Sequence, residues 1–252
     1  MDTNAGELPR VLELLWGREQ PGRRGPKPGL TIRDIGAAGV RIADADGLAA
    51  VSMSKVAAEL GFTTMSLYRY VASKDDLYTV MLDEAYGPPD LAEPAAGAGW
   101  RERMTIWAAA ARDGLLRHPW ILQIPLFEPP LSPNQLDWME AGLRTLGETG
   151  LTHQEKLSSM LLVDVYVRGI TQLTAHMRAV TAETGQTEQE ADQLYARRLA
   201  TVLDPERFPA VAAALSSGSL SDDGDFAVDE FTFGLDTVLD GIAALIERRT
   251  AR

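Results

Sequence analysis

The spacing of apolar residues over 52–74 predicts two short helices joined by a tight turn. In the first helix, apolar side chains recur at i, i+3, i+4 and i+7 and form one stripe: Met53, Val56, Ala57 and Leu60. Ser52 stands before this stripe as a candidate N-cap. Gly61 follows it, where a chain leaving a helix often needs a positive φ. Residues 52–61 therefore predict one complete, capped helix.

The second helix, about residues 64–71, turns Leu67 and Val71 toward the same stripe. Small polar, aromatic and basic side chains are left on its outer face: Met65, Ser66, Tyr68 and Arg69. A short outer face of this kind suits a groove of DNA. Periodicity alone also allows an ordinary helical hairpin with no DNA-binding role.

The same reasoning predicts an all-α chain. Capping signatures at Thr31–Asp34 and Ser73–Asp76 start two helices, which end at Gly47 and at about Tyr86. After residues 87–99, which are rich in proline and glycine, no segment has a convincing strand pattern. Long helical patterns cover about 100–116, 134–149, 153–182, 187–203 and 226–248, and a further short helix lies within 204–215.

This pattern divides the chain into four parts. We expect a flexible basic arm over 1–28, a three-helix unit with a connecting helix over 29–87, a linker over 88–99, and a larger helical domain over 100–252. The arm carries basic residues among prolines and glycines: Arg18, Arg23, Arg24 and Lys27. It is either a solvated tail or an arm that reaches phosphates or the minor groove of DNA. Its apolar cluster around Leu12 and Trp16 is either a docked helical turn or loose.

Charge supports a DNA-binding N-terminal part. The net charge is −12, but residues 1–74 hold 10 Lys and Arg against 8 Asp and Glu, whereas residues 75–252 hold 14 against 28. Positive charge is therefore concentrated where phosphates would lie, and the acidic remainder would be repelled by the duplex.

No catalytic or metal-binding pattern is present. The chain has no cysteine, and its histidines, His118, His153 and His176, lack metal-ligand spacing. His118 before Pro119 is expected to cap the end of its helix. Nucleotide-binding glycine loops and nucleophile motifs are also missing, so we expect neither an enzyme nor a cofactor. Without a long apolar run or a signal-peptide pattern, we expect a cytoplasmic protein with no membrane partner.

Residue identity adds a family resemblance. The chain resembles the tetracycline-repressor (TetR) family in an LYxxVxxKxxL signature formed by Leu67, Tyr68, Val71, Lys74 and Leu77. The HPW turn at 118–120, the stretch 137–151 and the closing helix resemble the C-terminal regulatory domain of that family. The resemblance implies a ligand-responsive regulator, most simply a repressor, that binds double-stranded DNA at a palindromic operator. Tyr68 and Lys74 would contact phosphates while the start of the second helix enters the major groove.

Combining resemblance and pattern gives two sets of candidate site residues. The DNA-binding candidates are Ser52, Ser54, Thr63, Thr64, Met65, Ser66, Tyr68, Arg69, Tyr70 and Lys74, with Arg23 and Arg24 of the arm. The candidates for lining an effector cavity, which the family places between the helices of its C-terminal domain, are Trp107, Phe127, Trp138, Met139, Met160, Asp164, Arg168, Gln172 and His176.

The cavity candidates have simpler alternatives. The aromatic and methionine residues could all belong to the core, and Asp164 and Arg168, spaced i, i+4, could simply pair with each other. If they line a cavity, its apolar walls favour a hydrophobic or amphipathic small-molecule effector. The loop after the HPW turn, 123–126, lacks the histidine with which the tetracycline repressor binds a drug-bound metal, so tetracycline–metal recognition is not expected.

The helices over 153–182 and 226–248 have apolar residues around more than one face, which indicates a second subunit. The resemblance agrees, because members of the family dimerise through a four-helix bundle made from these two helices. We therefore expect a homodimer, and an arginine in place of Leu239 or Ile242 should either split the dimer or unfold it. A helical enzyme, or a module whose hairpin binds protein, remains an alternative from the residues alone.

Overall fold

The computed structural model describes residues 8–18, 29–125, 129–217 and 226–251, and all regular structure in these parts is helical. The N-terminal part contains a 3₁₀ turn, Leu48–Ala50, and five α-helices: α1 (Arg10–Leu15), α2 (Ile32–Asp46), α3 (Met53–Leu60), α4 (Thr64–Leu67) and α5 (Lys74–Tyr86). The remainder contains a second 3₁₀ turn, Pro119–Gln123, and six α-helices: α6 (Trp100–Arg117), α7 (Pro133–Thr145), α8 (His153–Thr184), α9 (Glu188–Val202), α10 (Pro209–Ser216) and α11 (Phe226–Thr250).

Reciprocal capping boxes explain where four of these helices begin. Thr31, Ser73 and Thr187 each accept the backbone N–H three residues later, and the acidic side chain at that position bonds back to the cap. These three starts were expected from the sequence. Thr152 makes the same arrangement with Glu155 at the start of α8. The helices begin where local hydrogen bonding satisfies their first backbone N–H groups.

Helix α1 is docked on the body, which decides between the two alternatives for the first apolar cluster. Val11, Leu12 and Leu15 are buried, and the indole N–H of Trp16 donates to the carbonyl of Leu131 at 2.9 Å. The rest of the expected arm, including Arg23 and Arg24, lies outside the described residues.

Helices α2 and α5 pack very closely in the N-terminal unit. Glycines of α2 make this possible: a Cβ on Gly39 would lie 2.6 Å from Cγ of Met81, and one on Gly36 would lie 2.9 Å from Cγ1 of Val80. The expected inner-face residues of α2 are buried in this core: Ile32, Ile35 and Ile42. The core continues to Leu67 and Val71, so the helical hairpin rests on the α2–α5 pair.

In the C-terminal part, α8 packs between α6 and α11. Leu239 and Ile242 are 0% and 3% exposed within the protomer, so of the two expected effects of an arginine there, unfolding is the one that the structure favours. Their face of α11 packs on α8 of the same chain. Four apolar side chains are left exposed on the opposite face of α8: Leu162, Val165, Leu173 and Val180.

Candidate DNA interface and effector cavity

The helical hairpin forms the candidate DNA interface. Ser52 caps α3 by accepting the N–H of Lys55 at 3.2 Å, and Gly61 ends the helix with a left-handed φ of 71°. Thr63 then caps α4 by accepting the N–H of Ser66 at 3.3 Å. The predicted second helix was too long, since the α-helix ends at Leu67 and residues 68–70 form a turn. Tyr70 and Val71 both donate to the Leu67 carbonyl, and this tightens the chain before α5.

Most predicted DNA-binding side chains lie on the outer side of this hairpin. Met65 is 74% exposed and Tyr68 is 48% exposed, while Thr64 and Ser66 are partly exposed. The remaining outward residues are also exposed: Ser52, Ser54, Thr63, Arg69 and Lys74. Tyr70 differs from them, because its ring packs on the core and its hydroxyl donates to the carbonyl of Leu30 at 2.9 Å. Tyr70 therefore lies on the core side of the hairpin and links it to Leu30.

Basic groups beside the hairpin fall into two sets. Lys55 pairs with Asp46 at 2.5 Å, and Arg41 pairs with Glu59 at 2.8 Å. Arg69 and Lys74 make no ion pair with any residue that the structure describes. Their charges are therefore available to phosphates without breaking an ion pair, although Nζ of Lys74 lies 5.3 Å from the centre of the Tyr78 ring.

Asp83 and Asp44 each bond the N-terminal unit to the rest of the chain. Asp83 of α5 accepts the backbone N–H of Asn134 in α7 at 2.8 Å, and the Asn134 amide donates to the Asp83 carbonyl at 2.8 Å. Asp44 of α2 lies 2.8 Å from Nδ1 of His118 and accepts the indole N–H of Trp120 at 2.7 Å. His118 occupies the C-cap of α6 as expected, but its side chain reaches across to α2 instead of its own helix.

A cavity of about 410 Å³ lies where the end of α5 meets α6, α7 and α8. Six of the nine predicted cavity residues line it: Trp107, Trp138, Met139, Met160, Asp164 and Arg168. The sequence did not single out its other lining residues: Tyr86, Pro129, Pro130, Gln135, Gln154, Leu157, Ser158 and Leu161. Four of these residues belong to α8: Gln154, Leu157, Ser158 and Leu161. They lie at helical spacing on the same stripe as Asp164 and Arg168. Extending that stripe toward the start of α8 would have identified them.

Gln172 and His176 do not line this cavity. A helix advances 100° per residue, so each step of four residues rotates a side chain by roughly 40°. Two such steps beyond Arg168 carry His176 roughly 80° around α8 and about 12 Å along it. Both side chains are exposed. Phe127, the ninth candidate, lies outside the described residues.

Asp164 and Arg168 pair with each other and also line the cavity, and these were the two alternatives that the sequence left open. Nε of Arg168 pairs with the Asp164 carboxylate at 3.1 Å, and the same guanidinium donates to the hydroxyl of Tyr86. Both members of the ion pair also face the cavity. Burial raises the pKa of the Tyr86 phenol, and the neighbouring Arg168 only partly opposes this shift. Tyr86 is therefore neutral at physiological pH.

The aromatic wall is held by specific contacts. The rings of Trp107 and Trp138 meet edge to face with centroids 6.3 Å apart, and the Trp107 indole donates to the Trp138 carbonyl at 3.0 Å. The Trp138 indole in turn donates to the carbonyls of Tyr86 and Gly87 at 3.2 and 3.1 Å. Gly142 permits this arrangement, because a Cβ there would lie 3.1 Å from both Trp107 and Met160.

The described residues contain no group of three or more His, Asp or Glu side chains placed to hold a metal ion. In the same parts of the chain, no helix combines the length and apolarity needed to cross a membrane.

Comparison with known proteins identifies the family. Residues 30–81 match the family described as bacterial regulatory proteins, tetR family, and residues 93–246 match the tetracyclin repressor-like C-terminal domain. The HTH-type transcriptional repressor DrrR1 of Streptomyces coeruleorubidus is 38% identical over 247 residues, which cover 98% of this chain and 90% of that protein.

Two solved structures of Streptomyces coelicolor ActR, a TetR family protein, share the fold. The apo form has a TM-score of 0.70 at 25% identity and covers 90% of this chain and 99% of its own. The complex with actinorhodin has a TM-score of 0.71 at 24% identity, and the match covers 86% of this chain and 97% of the ActR chain. The chain therefore belongs to the TetR family and is an all-α, DNA-binding transcriptional regulator, not an enzyme.

Proposed function

We propose that this regulator is a homodimeric repressor that binds a palindromic operator and releases it when a hydrophobic or amphipathic effector occupies the 410 Å³ cavity. The observation that carries the proposal is the position of α5. Its first residue, Lys74, is exposed beside the hairpin, and its last residue, Tyr86, forms part of the cavity wall. One helix thus connects the candidate DNA interface with the candidate effector site.

The hairpin supplies the DNA contacts in this proposal. Thr64 and Met65, at the start of α4, would meet base edges in the major groove, and Tyr68 and Lys74 would contact phosphates. The exposure of Met65, Tyr68 and Lys74 supports these roles. Arg23 and Arg24 of the N-terminal arm would add phosphate contacts. Deleting residues 1–28 to test these contacts would also remove α1, which is docked on the body.

The cavity suits an apolar guest. Its volume falls within the range of about 300–1,000 Å³ that is usual for small-molecule sites, and tryptophan, methionine, leucine and proline side chains form most of its wall. Its two charged groups, Asp164 and Arg168, pair with each other, and its other polar side chains are neutral: Tyr86, Gln135, Gln154 and Ser158. That ActR has been solved with actinorhodin agrees with a ligand-binding role for this fold.

The exposed stripe of α8 supports the dimer. Leu162, Val165, Leu173 and Val180 follow each other at helical spacing, and Gly169, between them, has no atom near its missing Cβ in the protomer. A twofold partner that covers this stripe, together with exposed Phe233 of α11, would remove it from water. The dimer would place its two hairpins about 34 Å apart, one turn of DNA. Operator binding implies a cytoplasmic protein.

Selection from randomised DNA by the purified full chain tests the proposal, with a palindromic motif as the expected result. Lys74→Ala should weaken binding to all sequences and flatten the dependence of log K on log salt concentration by about 0.9. Met65→Ala, the matched surface variant, should instead change base preference. If no motif is enriched, the proposed function is refuted.

A further inference from the structure

The last residue of α5 is held by two side chains that line the effector cavity. The hydroxyl of Tyr86 accepts a hydrogen bond from Arg168, whose Cζ lies 6.0 Å from the centre of the Tyr86 ring. The backbone carbonyls of Tyr86 and Gly87 accept the indole N–H of Trp138. A guest in the cavity would therefore touch the donors that fix this end of α5.

The two acceptors of Arg168 differ in strength. Asp164 is a carboxylate that bonds Nε, whereas Tyr86 is a neutral phenol because burial raises its pKa. The guanidinium is cationic in both bonds, but only the Asp164 carboxylate carries an opposite full charge, so Coulomb attraction strengthens that bond alone. The bond to Tyr86 is thus the weaker of the two, and it is the one that an anionic group can displace. Asp164 bonds Nε and Tyr86 bonds Nη2, so a guest that takes the Nη2 donor leaves the contact of Asp164 in place.

We propose that Tyr86 and Arg168 form a latch, and that the effector is an aromatic molecule with an anionic oxygen group that takes Arg168 from Tyr86. This inference rests on the proposed function, since it specifies how the same cavity controls operator binding. The aromatic part packs against Trp107 and Trp138, and the anionic oxygen reaches the guanidinium. Tyr86 is then a positioning residue: it acts on DNA binding through the end of α5.

The latch predicts how the binding of operator and the binding of a guest affect each other. Bound operator favours the latched arrangement, in which Tyr86 competes with the anion for Arg168, so operator must weaken an anionic guest. A guest without the anionic group leaves the latch closed and is insensitive to operator. Tyr86→Phe retains the ring but removes the competing hydroxyl, so an anionic guest binds more tightly and loses its sensitivity to operator.

Two fluorescent probes with one aromatic skeleton test the inference. 8-Anilinonaphthalene-1-sulfonate carries an anionic group, and N-phenyl-1-naphthylamine lacks it. Dissociation constants are measured for the full chain with and without the selected DNA. In the wild type, DNA should weaken the sulfonate at least about fivefold and leave the amine unchanged. In Tyr86→Phe, the sulfonate should bind more tightly, and DNA should change its affinity by less than about twofold.

Two further variants test whether the response of the sulfonate to DNA depends on the latch. Arg168→Gln should weaken the sulfonate much more than the amine. Tyr166→Phe removes a hydroxyl that is hydrogen-bonded to the carbonyls of Glu230 and Phe231, away from the cavity, and should keep the wild-type response to DNA. Equal sensitivity of the two probes to DNA in the wild type overturns the latch without any variant, as does an unchanged response in Tyr86→Phe. A wild type that enriches no DNA motif refutes the proposed function itself.

Discussion

Removing the Asp83 carboxylate should destabilise the joint between α5 and α7. Asp83 is 2% exposed and accepts the backbone N–H of Asn134, in the first turn of α7, where helical N–H groups have no partner within the helix. Ser132, the N-cap of α7, makes no capping bond, because its hydroxyl donates to the side chain of Gln135. Asp83 therefore caps a helix that its own sequence leaves uncapped.

The expected loss can be worked from these contacts. Hydrogen bonds to a charged group contribute about 1.5–3 kcal/mol, and a carboxylate at a helix N-terminus contributes about 0.3–1 kcal/mol more. Asp83→Ala also leaves the buried N–H of Asn134 without an acceptor. We expect the free energy of unfolding to fall by about 3 kcal/mol, which lowers Tm by about 6–12 °C for a chain of this size. Asp83→Asn keeps the shape and one acceptor oxygen, so it should cost roughly half as much.

Thermal unfolding followed by circular dichroism measures this loss, at one protein concentration because dimers melt in a concentration-dependent way. Asp137→Ala, an exposed aspartate of the same α7, is the control. A double-mutant cycle with Asn134→Ala, which keeps the backbone N–H, reports separately on the weaker contact between the Asn134 amide and the Asp83 carboxylate at 3.3 Å. An Asp83→Ala variant with the Tm of the wild type would refute the capping role.

Three further predictions concern the rest of the body. Gly142→Ala should lower the free energy of unfolding by about 1–3 kcal/mol, measured by denaturant titration, because the new Cβ crowds α6 and α8; an unchanged value would contradict this packing. The hydrogen bond from Arg249 holds the pKa of Glu155 down to about 2, from 4.5, so Glu155 stabilises the fold above about pH 4.5 and loses this effect toward pH 2. The difference in Tm between the wild type and Glu155→Gln should therefore shrink over that range, and a constant difference would count against the ion pair. Leu162→Arg should give a folded monomer in sedimentation experiments, whereas Leu239→Arg should unfold the protomer; a dimeric Leu162→Arg would place the interface elsewhere.

Local signals made much of the fold predictable. The capping residues Thr31 and Ser73 act on backbone groups within three residues, and Gly61 supplies the positive φ that the hairpin turn needs. Such information lies within a few positions of sequence. The two buried residues of the second helix, Leu67 and Val71, followed from the same periodicity even though that helix is shorter than expected.

Contacts distant in sequence were not predictable in this way. Asp83 and Asn134 are 51 residues apart, Asp44 and His118 are 74 apart, and the two residues of the latch are 82 apart. In each case the residue types allow many partners, and only the packing of helices selects one. The partner of α11 was ambiguous for the same reason. Apolar residues around more than one face of a helix show that these faces are buried, but they do not distinguish burial against α8 of the same chain from burial against a second subunit.

The close packing of α2 on α5 determines how far a change at the cavity can travel. Because Gly39 and Gly36 leave no space for even a Cβ, α2 and α5 cannot slide past each other without clashes with Met81 and Val80. A displacement of the Tyr86 end would therefore move the whole N-terminal unit as one body. Helix α5 has 13 residues and is about 20 Å long, so a tilt of about 3° shifts its far end by about 1 Å. Hydrogen bonds to DNA tolerate only a few tenths of an ångström around 2.7–3.2 Å, so a tilt this small would disrupt them.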